Sequence, residues 1–207
     1  MRKLTRLLVA SRNRKKLIEL RRVLDGAELS TLTLVSLDEV PPFDESPESG
    51  ATFEDNALMK AHDGFAATGL PTVADDSGLE VAALNGMPGV LSARWSGSHG
   101  NDSANTALLL AQLRDVPDER RGAAFVSACA LVSRSGEVVV RGEWPGVIAR
   151  EARGDGGFGY DPVFVPNGYA CTAAELSPAE KDAVSHRGRS LAKLVPTLRT
   201  LTSENAP

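Results

Sequence analysis

Three strings in the chain bring together residue types that handle phosphate, metal and water. The first is Ala74-Asp75-Asp76-Ser77-Gly78-Leu79, two adjacent carboxylates behind the apolar run Leu70-Pro71-Thr72-Val73-Ala74. That run reads as a buried strand and the Ser-Gly pair as a turn, so the spacing predicts carboxylates delivered to a strand end. In open α/β sheets ligands bind at the carboxyl ends of strands, where neighbouring acids hold a divalent metal or activate water. The same string also serves as an acidic turn capping the next element.

The second string is Ser11-Arg12-Asn13-Arg14-Lys15-Lys16, between the apolar run Arg6–Ser11 and a stretch with Leu17, Leu20 and Leu24 at helical spacing. A strand that enters a helix through a polar turn leaves backbone N–H groups and a positive dipole end pointing outward, which suits phosphate. Ser11 and Asn13 can donate to phosphate oxygens, and Lys16 adds a point charge. Lacking the Gly-Lys-Ser/Thr ending, it is not a Walker A loop, and a capped basic helix start is the alternative reading. The third string is Gly154-Asp155-Gly156-Gly157-Phe158-Gly159-Tyr160-Asp161-Pro162, in which glycines let backbone approach a ligand while Phe158 offers a ring for stacking on a base. A Phe that simply plugs the core would look the same.

The elements that must position these strings follow from periodicity and turn chemistry. Leu32–Ser36 reads as a second strand; Pro41, Pro42 and Pro47 keep the acidic stretch up to Glu48 irregular. Thr52 and Asp55 form a capping box for a helix from Phe53 to Thr68, ended by Gly69. Asn56 and Lys60 share one direction on it, toward solvent or toward a cleft. Asn101 or Asp102 caps a helix through Leu113, and residues 123–133 and 137–141 form an antiparallel hairpin around Arg134-Ser135-Gly136. Ser177-Pro178 starts a helix leading to Lys181 and then Ser185-His186-Arg187-Gly188; Leu191, Leu194, Val195 and Leu198 mark a final helix. Alternating strands and helices plus the hairpin predict an α/β fold with a mixed sheet.

At 207 residues, 42% hydrophobic and 24% charged, the chain is expected to form one domain of two lobes over 1–207, frayed from 202 to 207. Two cysteines, Cys129 and Cys171, sit 42 positions apart and read as core thiols in a reducing compartment. With no apolar signal segment and no 18-residue apolar run, a cytoplasmic protein away from membranes is expected. A net charge of −4 argues against a nucleic-acid polymer as main partner. Residues 1–24 hold nine Lys/Arg and only Glu19 as an acid, whereas residues 25–59 hold nine Asp/Glu and no Lys/Arg. Bordering one cleft, two such walls would suit a nucleoside triphosphate with Mg²⁺; two solvated faces are the other reading.

Ser11-x-Asn13-x-x-Lys16, Glu48-Ser49-Gly50-x-Thr52-Phe53-x-x-Asn56-Ala57-x-x-Lys60-Ala61, the Asp75-Asp76 string, Gly157-Phe158-Gly159-Tyr160-Asp161-Pro162 and Ser185-His186-Arg187-Gly188 together resemble the inosine triphosphate pyrophosphatase family. The motifs stand in matching order from about residue 7 to residue 198. The resemblance implies a long mixed central sheet flanked by helices, two lobes around a nucleotide-binding cleft, and a homodimer. It also implies Mg²⁺-dependent hydrolysis of ITP, dITP and XTP to the monophosphate and pyrophosphate. On it, Ser11, Asn13 and Lys16 hold the triphosphate, Glu48 and Asp76 ligate metal, and Asp76 accepts the proton. Ser77 contacts substrate, Phe158 stacks on the base, Gly159, Tyr160 and Asp161 complete that wall, and Lys181, His186 and Arg187 reach the base and neighbouring phosphates. One departure stands out: many members have Thr-Gly-Asn-x-Gly-Lys, and Arg12 and Lys15 occupy the glycine positions here. A Maf-like nucleotide pyrophosphatase is the rival enzyme, although its Ser-x-x-Arg-Arg start is missing. A non-catalytic nucleotide-binding module is the other rival, and paired acids without a metal would gain such a binder of anions nothing.

Overall fold

The computed structural model describes residues 5–27, 29 and 32–204. Strand β1 (Thr5–Val9) is buried on both faces, Leu7 and Leu8 completely, as a strand covered by helices must be. Helix α1 (Arg14–Gly26) turns Leu20 and Leu24 inward, and β2 (Leu32–Ser36) pairs parallel with β1. Helix α2 (Phe53–Thr68) opens on the Thr52–Asp55 capping box and stops at Gly69, which takes φ +66.

Strand β3 (Thr72–Val81) corrects the sequence reading. Asp75 and Asp76 lie inside a ten-residue strand, and Ser77-Gly78 does not turn the chain. Gly78 serves a different purpose: a Cβ there would collide with Ser92 Oγ and with the carbonyl oxygen of Gly89. The glycine marks a close approach, and Ser92 Oγ uses that closeness to accept the Leu79 N–H at 2.9 Å.

Helix α3 (Asp102–Gln112) is followed by β4 (Gly122–Ser133) and β5 (Gly136–Ile148), joined by two residues as a hairpin. β5 runs seven residues past the expected end, because Gly142, Trp144, Gly146 and Ile148 alternate inward with Glu143, Pro145 and Val147 outward. Edge strand β6 (Phe164–Pro166) pairs antiparallel with β5. Helix α4 (Pro178–Val184) uses the Ser177 cap, and α5 (His186–Glu204) continues through Glu204; residues 205–207 of the expected frayed tail lie outside the described residues. The sheet order is β2-β1-β3-β4-β5-β6, with parallel and antiparallel pairs, so the sheet is mixed and helix-flanked as expected. Among the described residues, no helix is long and apolar enough to cross a membrane.

The chain divides into two compact units, one of Met1–Asp76, Ala128–Gly142 and Gly188–Pro207, the other of Ser77–Ser127 and Glu143–Arg187. Each has its own core. The first packs Leu7, Val73, Cys129, Leu131, Leu194 and Leu198; the second packs Leu79, Leu109, Phe125, Trp144, Ile148 and Phe164. Cys129 is therefore a core thiol, while Cys171, also a free thiol, is only half-buried. In the second unit Arg121 is 2% exposed and donates to the carbonyls of Leu113 (2.6 Å), Ile148 (2.7 Å) and Ala149 (2.8 Å). One guanidinium thus ties the end of α3 to the end of β5.

Arg121→Lys should lower unfolding free energy by about 2 to 5 kcal/mol, because one ammonium cannot serve three carbonyls in that fork. Denaturant unfolding measures it, and a loss below about 0.5 kcal/mol, the size of a surface change, would show that the fork is dispensable.

Candidate active site

The first group of residues forms where β1 ends. β1 pairs with β3 only at Leu8↔Thr72 and Val9↔Val73, and the Ala10 N–H closes the ladder on the Val73 carbonyl at 2.8 Å. Past that point the β1 side of β3 meets a turn instead of a strand, and Asp75 and Asp76 come next. The turn is tight: Ser11 N–H donates to the Val9 carbonyl, and Asn13 N–H donates to Ser11 Oγ at 3.2 Å. Neither former glycine position needs a left-handed backbone. Among the described residues the non-glycine with positive φ is Asn85, Arg12 is exposed and ion-paired with Glu45, and Lys15 lies in the first turn of α1.

Strand alternation sends the two acids to opposite faces. Asp75 meets α1, where Lys16 Nζ stands 3.1 Å from its Oδ2. Asp76 meets α2, on which Asn56, Lys60 and Gly64 follow one another at four-residue intervals and so form one stripe. Gly64 lets that stripe come close, since a Cβ there would press on Thr72 and Leu8. One turn earlier, Lys60 Nζ donates to Asp75 O (2.8 Å), Glu48 Oε1 (2.8 Å) and Asp76 Oδ1 (3.3 Å). One turn earlier again, Asn56 donates to Asp76 Oδ2 at 3.0 Å and accepts the Gly50 N–H at 2.8 Å. Asn56 is wholly buried and thereby fixes both Asp76 and the acidic loop that carries Glu48.

Burial alone would lower the pKa of Lys60, but Asp76, Asp75 and Glu48 outweigh it and hold the pKa above the ordinary lysine value. The ammonium therefore stays charged at neutral pH, and its contribution to stability fades only as pH rises through that raised value.

The same pair of acids bears on whether Mg²⁺ suits this site. Glu48 Oε1 and Asp76 Oδ1 converge on one point, the Lys60 ammonium. Two converging carboxylates fit the way Mg²⁺ is usually held, by one or two acids plus water and substrate phosphate. Among the described residues no cluster of three or more His, Cys, Asp or Glu could make an all-protein cage.

The second group lies in the second unit. Arg187, 3% exposed, donates through Nη2 to Ser77 Oγ at 2.9 Å. Lys181 Nζ lies 5.2 Å and Arg187 Cζ 5.8 Å from the centroid of the Phe158 ring, a half-buried ring flanked by two cations. Asp161 is buried, accepts the Phe158 N–H at 2.8 Å and binds Lys181 Nζ. Gly157 allows this, because any Cβ would strike the Asp161 carboxylate.

The structure therefore brings Ser77, Phe158, Asp161, Lys181 and Arg187 into one set, and Lys16, Glu48 and Asp76 into another around Asp75 and Lys60. Ser11 and Asn13 form the turn beside α1. Tyr160 and His186 are placed differently from an open substrate wall. The Tyr160 hydroxyl donates to the Ser92 carbonyl at 2.9 Å, and burial and then Asp102 push its pKa up. His186, 6% exposed, stacks on Phe125 with ring centroids 4.9 Å apart. Gly159 is held by α3, its N–H donating to Asp102 Oδ2 at 2.7 Å. The sequence left Asn56 and Lys60 facing solvent or a cleft and offered Asp102 only as an alternative helix cap, a task that Asn101 takes; the four-residue interval ending at a packing glycine was the available signal for the first two.

The chain is also similar to known proteins along most of its length. The Ham1 family model matches residues 7–197. A dITP/XTP pyrophosphatase of Mycobacterium tuberculosis strain H37Rv is 80% identical over 199 residues, covering 96% of this chain and 98% of its own. A crystal structure of a nucleoside-triphosphatase, dITP/XTP pyrophosphatase, from Mycobacterium abscessus is similar at 68% identity and TM-score 0.78, covering 94% of this chain and all of that one. A HAM1 protein from Coxiella burnetii is similar at 40% identity and TM-score 0.84, covering 95% of this chain and 99% of that one. The resemblance drawn from five motifs is thus borne out along almost the whole length, and the chain belongs to the Ham1 family.

Proposed function

We propose that this chain hydrolyses deaminated purine nucleoside triphosphates (dITP, ITP and XTP) to the monophosphate and pyrophosphate, clearing them from the nucleotide pool. One observation carries the reading: a buried Asp76 carboxylate, fixed by Asn56 and Lys60 beside Glu48, directly precedes Ser77, which is bonded to the Arg187 that flanks the Phe158 ring. Acid chemistry and base recognition thus sit on successive residues of β3. Relatives at 80% identity named dITP/XTP pyrophosphatases support the substrate class.

In this reading Ser11, Asn13 and Lys16 bind the triphosphate, with Lys60 adding a second positive charge. Glu48 and Asp76 hold Mg²⁺, which when bound offsets phosphate charge and makes water more acidic. Asp76 Oδ2 is oriented by Asn56, and Oδ1 accepts the proton of the water that attacks the α-phosphorus. Lys16 also pairs with Asp75 on the opposite face of β3. Phe158 stacks on the base between the Lys181 and Arg187 cations, with Gly159, Tyr160 and Asp161 shaping the loop behind it and His186, stacked on Phe125, directly before Arg187 in the chain. Arg187 suits the 6-oxo acceptor of hypoxanthine and xanthine, whereas the 6-amino donor of adenine would face a donor. Such a mismatch costs on the order of 1 to 3 kcal/mol when buried. The reading extends to a homodimer and a cytoplasmic location, on the strength of the family resemblance.

Purified protein with Mg²⁺ should release pyrophosphate from dITP and XTP and leave dGTP, dATP and dUTP nearly untouched. Orthophosphate would mean cleavage between the β and γ groups, and a bound but unreacted nucleotide would point to a binding module; either overturns the reading. Asp76→Asn should cost about 10²-fold or more in kcat while thermal unfolding stays close to wild type. Near-normal dITP hydrolysis by that variant would remove Asp76 from the chemistry.

A further inference from the structure

The loop that displays Phe158 has no single shape of its own. Gly157 and Gly159 flank the ring with φ +73 and +61, a region glycine enters without strain but from which it can equally leave. Ordering so permissive a segment costs conformational entropy, so the hold must come from its surroundings. Four side chains supply it at different points. Asp161 takes the Phe158 N–H from within the loop, and Tyr160 is anchored on Ser92 just beyond it. Asp102 reaches in from α3, 57 residues earlier, and takes the N–H of Gly159, the residue next to the ring, at 2.7 Å. From the next turn of α3, the Thr106 hydroxyl donates to the Gly159 carbonyl at 3.4 Å.

Asp102 is not occupied as the helix cap. Asn101 has that task, its side chain accepting the Ala104 N–H at 3.2 Å. The carboxylate one residue on is turned to the loop, where a charged acceptor on a backbone N–H makes a stronger bond than a neutral one. We propose that Asp102 is a positioning residue for base recognition: by fixing Gly159 it sets the Phe158 ring against Lys181 and Arg187. The proposal rests on Phe158 being the surface that stacks on the base. Asp102 itself touches no substrate, so its loss weakens binding of substrate and transition state alike and shows as KM with little change in kcat.

The test is steady-state dITP hydrolysis with Mg²⁺ by wild type, Asp102→Ala, Asp102→Asn, Phe158→Ala and the Asp102→Ala/Phe158→Ala double variant. Asp102→Ala should raise KM about fivefold, the weight of one solvent-edged charged hydrogen bond, with kcat changed less than about twofold. Asp102→Asn, whose amide oxygen still accepts the Gly159 N–H, should recover most of that loss. In the Phe158→Ala background the same change should add almost nothing, since residues that act through one another are not additive. Should the alanine variant fail to fold, Asp102→Ser, acceptable at a helix start but too short to reach Gly159, takes its place with the same expected KM. An unchanged KM, a fall confined to kcat, or full additivity in the double variant would each overturn the proposal while leaving Phe158 as the base surface. An unchanged KM in Phe158→Ala would remove that surface, and the proposal with it.

Discussion

A lysine ammonium surrounded by the oxygens of Glu48, Asp75 and Asp76 is the constraint on which the first unit depends. Two half-buried or buried carboxylates directed at one point repel, and a third acid, Asp75, lies beside them on the strand. The arrangement therefore needs a positive charge between them to offset that repulsion. Lys60 supplies that charge from α2, and α2 can bring it only because Gly64 lets the helix lie against Thr72 and Leu8. Asn56 completes the arrangement by fixing the second oxygen of Asp76 and the backbone of Gly50 with one amide. Packing, electrostatics and the geometry of the acid pair are in this sense one interaction seen at three positions of a helical stripe.

The alternation of a β-strand explains why the adjacent acids are not equivalent. A turn would have let Asp75 and Asp76 share a site; a continuing strand sends one to α1 and Lys16, the other to α2 and Lys60. The sequence suggested a strand end because Ser-Gly so often turns a chain, and local chemistry carried no sign that Gly78 answers a long-range need. That need is the approach of Ser92 and Gly89, which no neighbouring residue announces. Similar reasoning covers β5, whose inward series Gly142, Trp144, Gly146 and Ile148 is legible once Pro145 is seen on the outward side of the alternation.

What was legible was what local rules govern. The capping box and Gly69 fixed α2 to the residue, the Asn101/Asp102 pair located α3, and the hairpin around Ser135 made the sheet mixed. The types of the site residues were also legible, because acids for metal, basic groups for phosphate and an aromatic in a glycine loop carry their chemistry in their names. Their partners were not. Lys16 reads as a phosphate ligand from its place at a helix start, yet here it pairs with Asp75, a contact 59 positions away that only the end of β1 makes possible.

That pairing shows how the loop Ser11–Lys16 is held without the glycines that the family resemblance led one to expect. A glycine is required where φ must be positive or where backbone must crowd another group, and Arg12 meets neither condition: it is exposed, takes an ordinary φ and reaches Glu45. The turn is closed instead by its own polar groups, Ser11 Oγ to the Asn13 N–H, and its helix is tied to β3 through Lys16 and Asp75. Lys16 thus serves the strand as well as the helix: its ammonium meets the Asp75 carboxylate on one face of β3, while Lys60 meets Asp76 from the other and donates to the Asp75 carbonyl. The two lysines divide the charge of the acid pair between them, one on each face of a single strand, and so each acid is compensated by the helix that covers it.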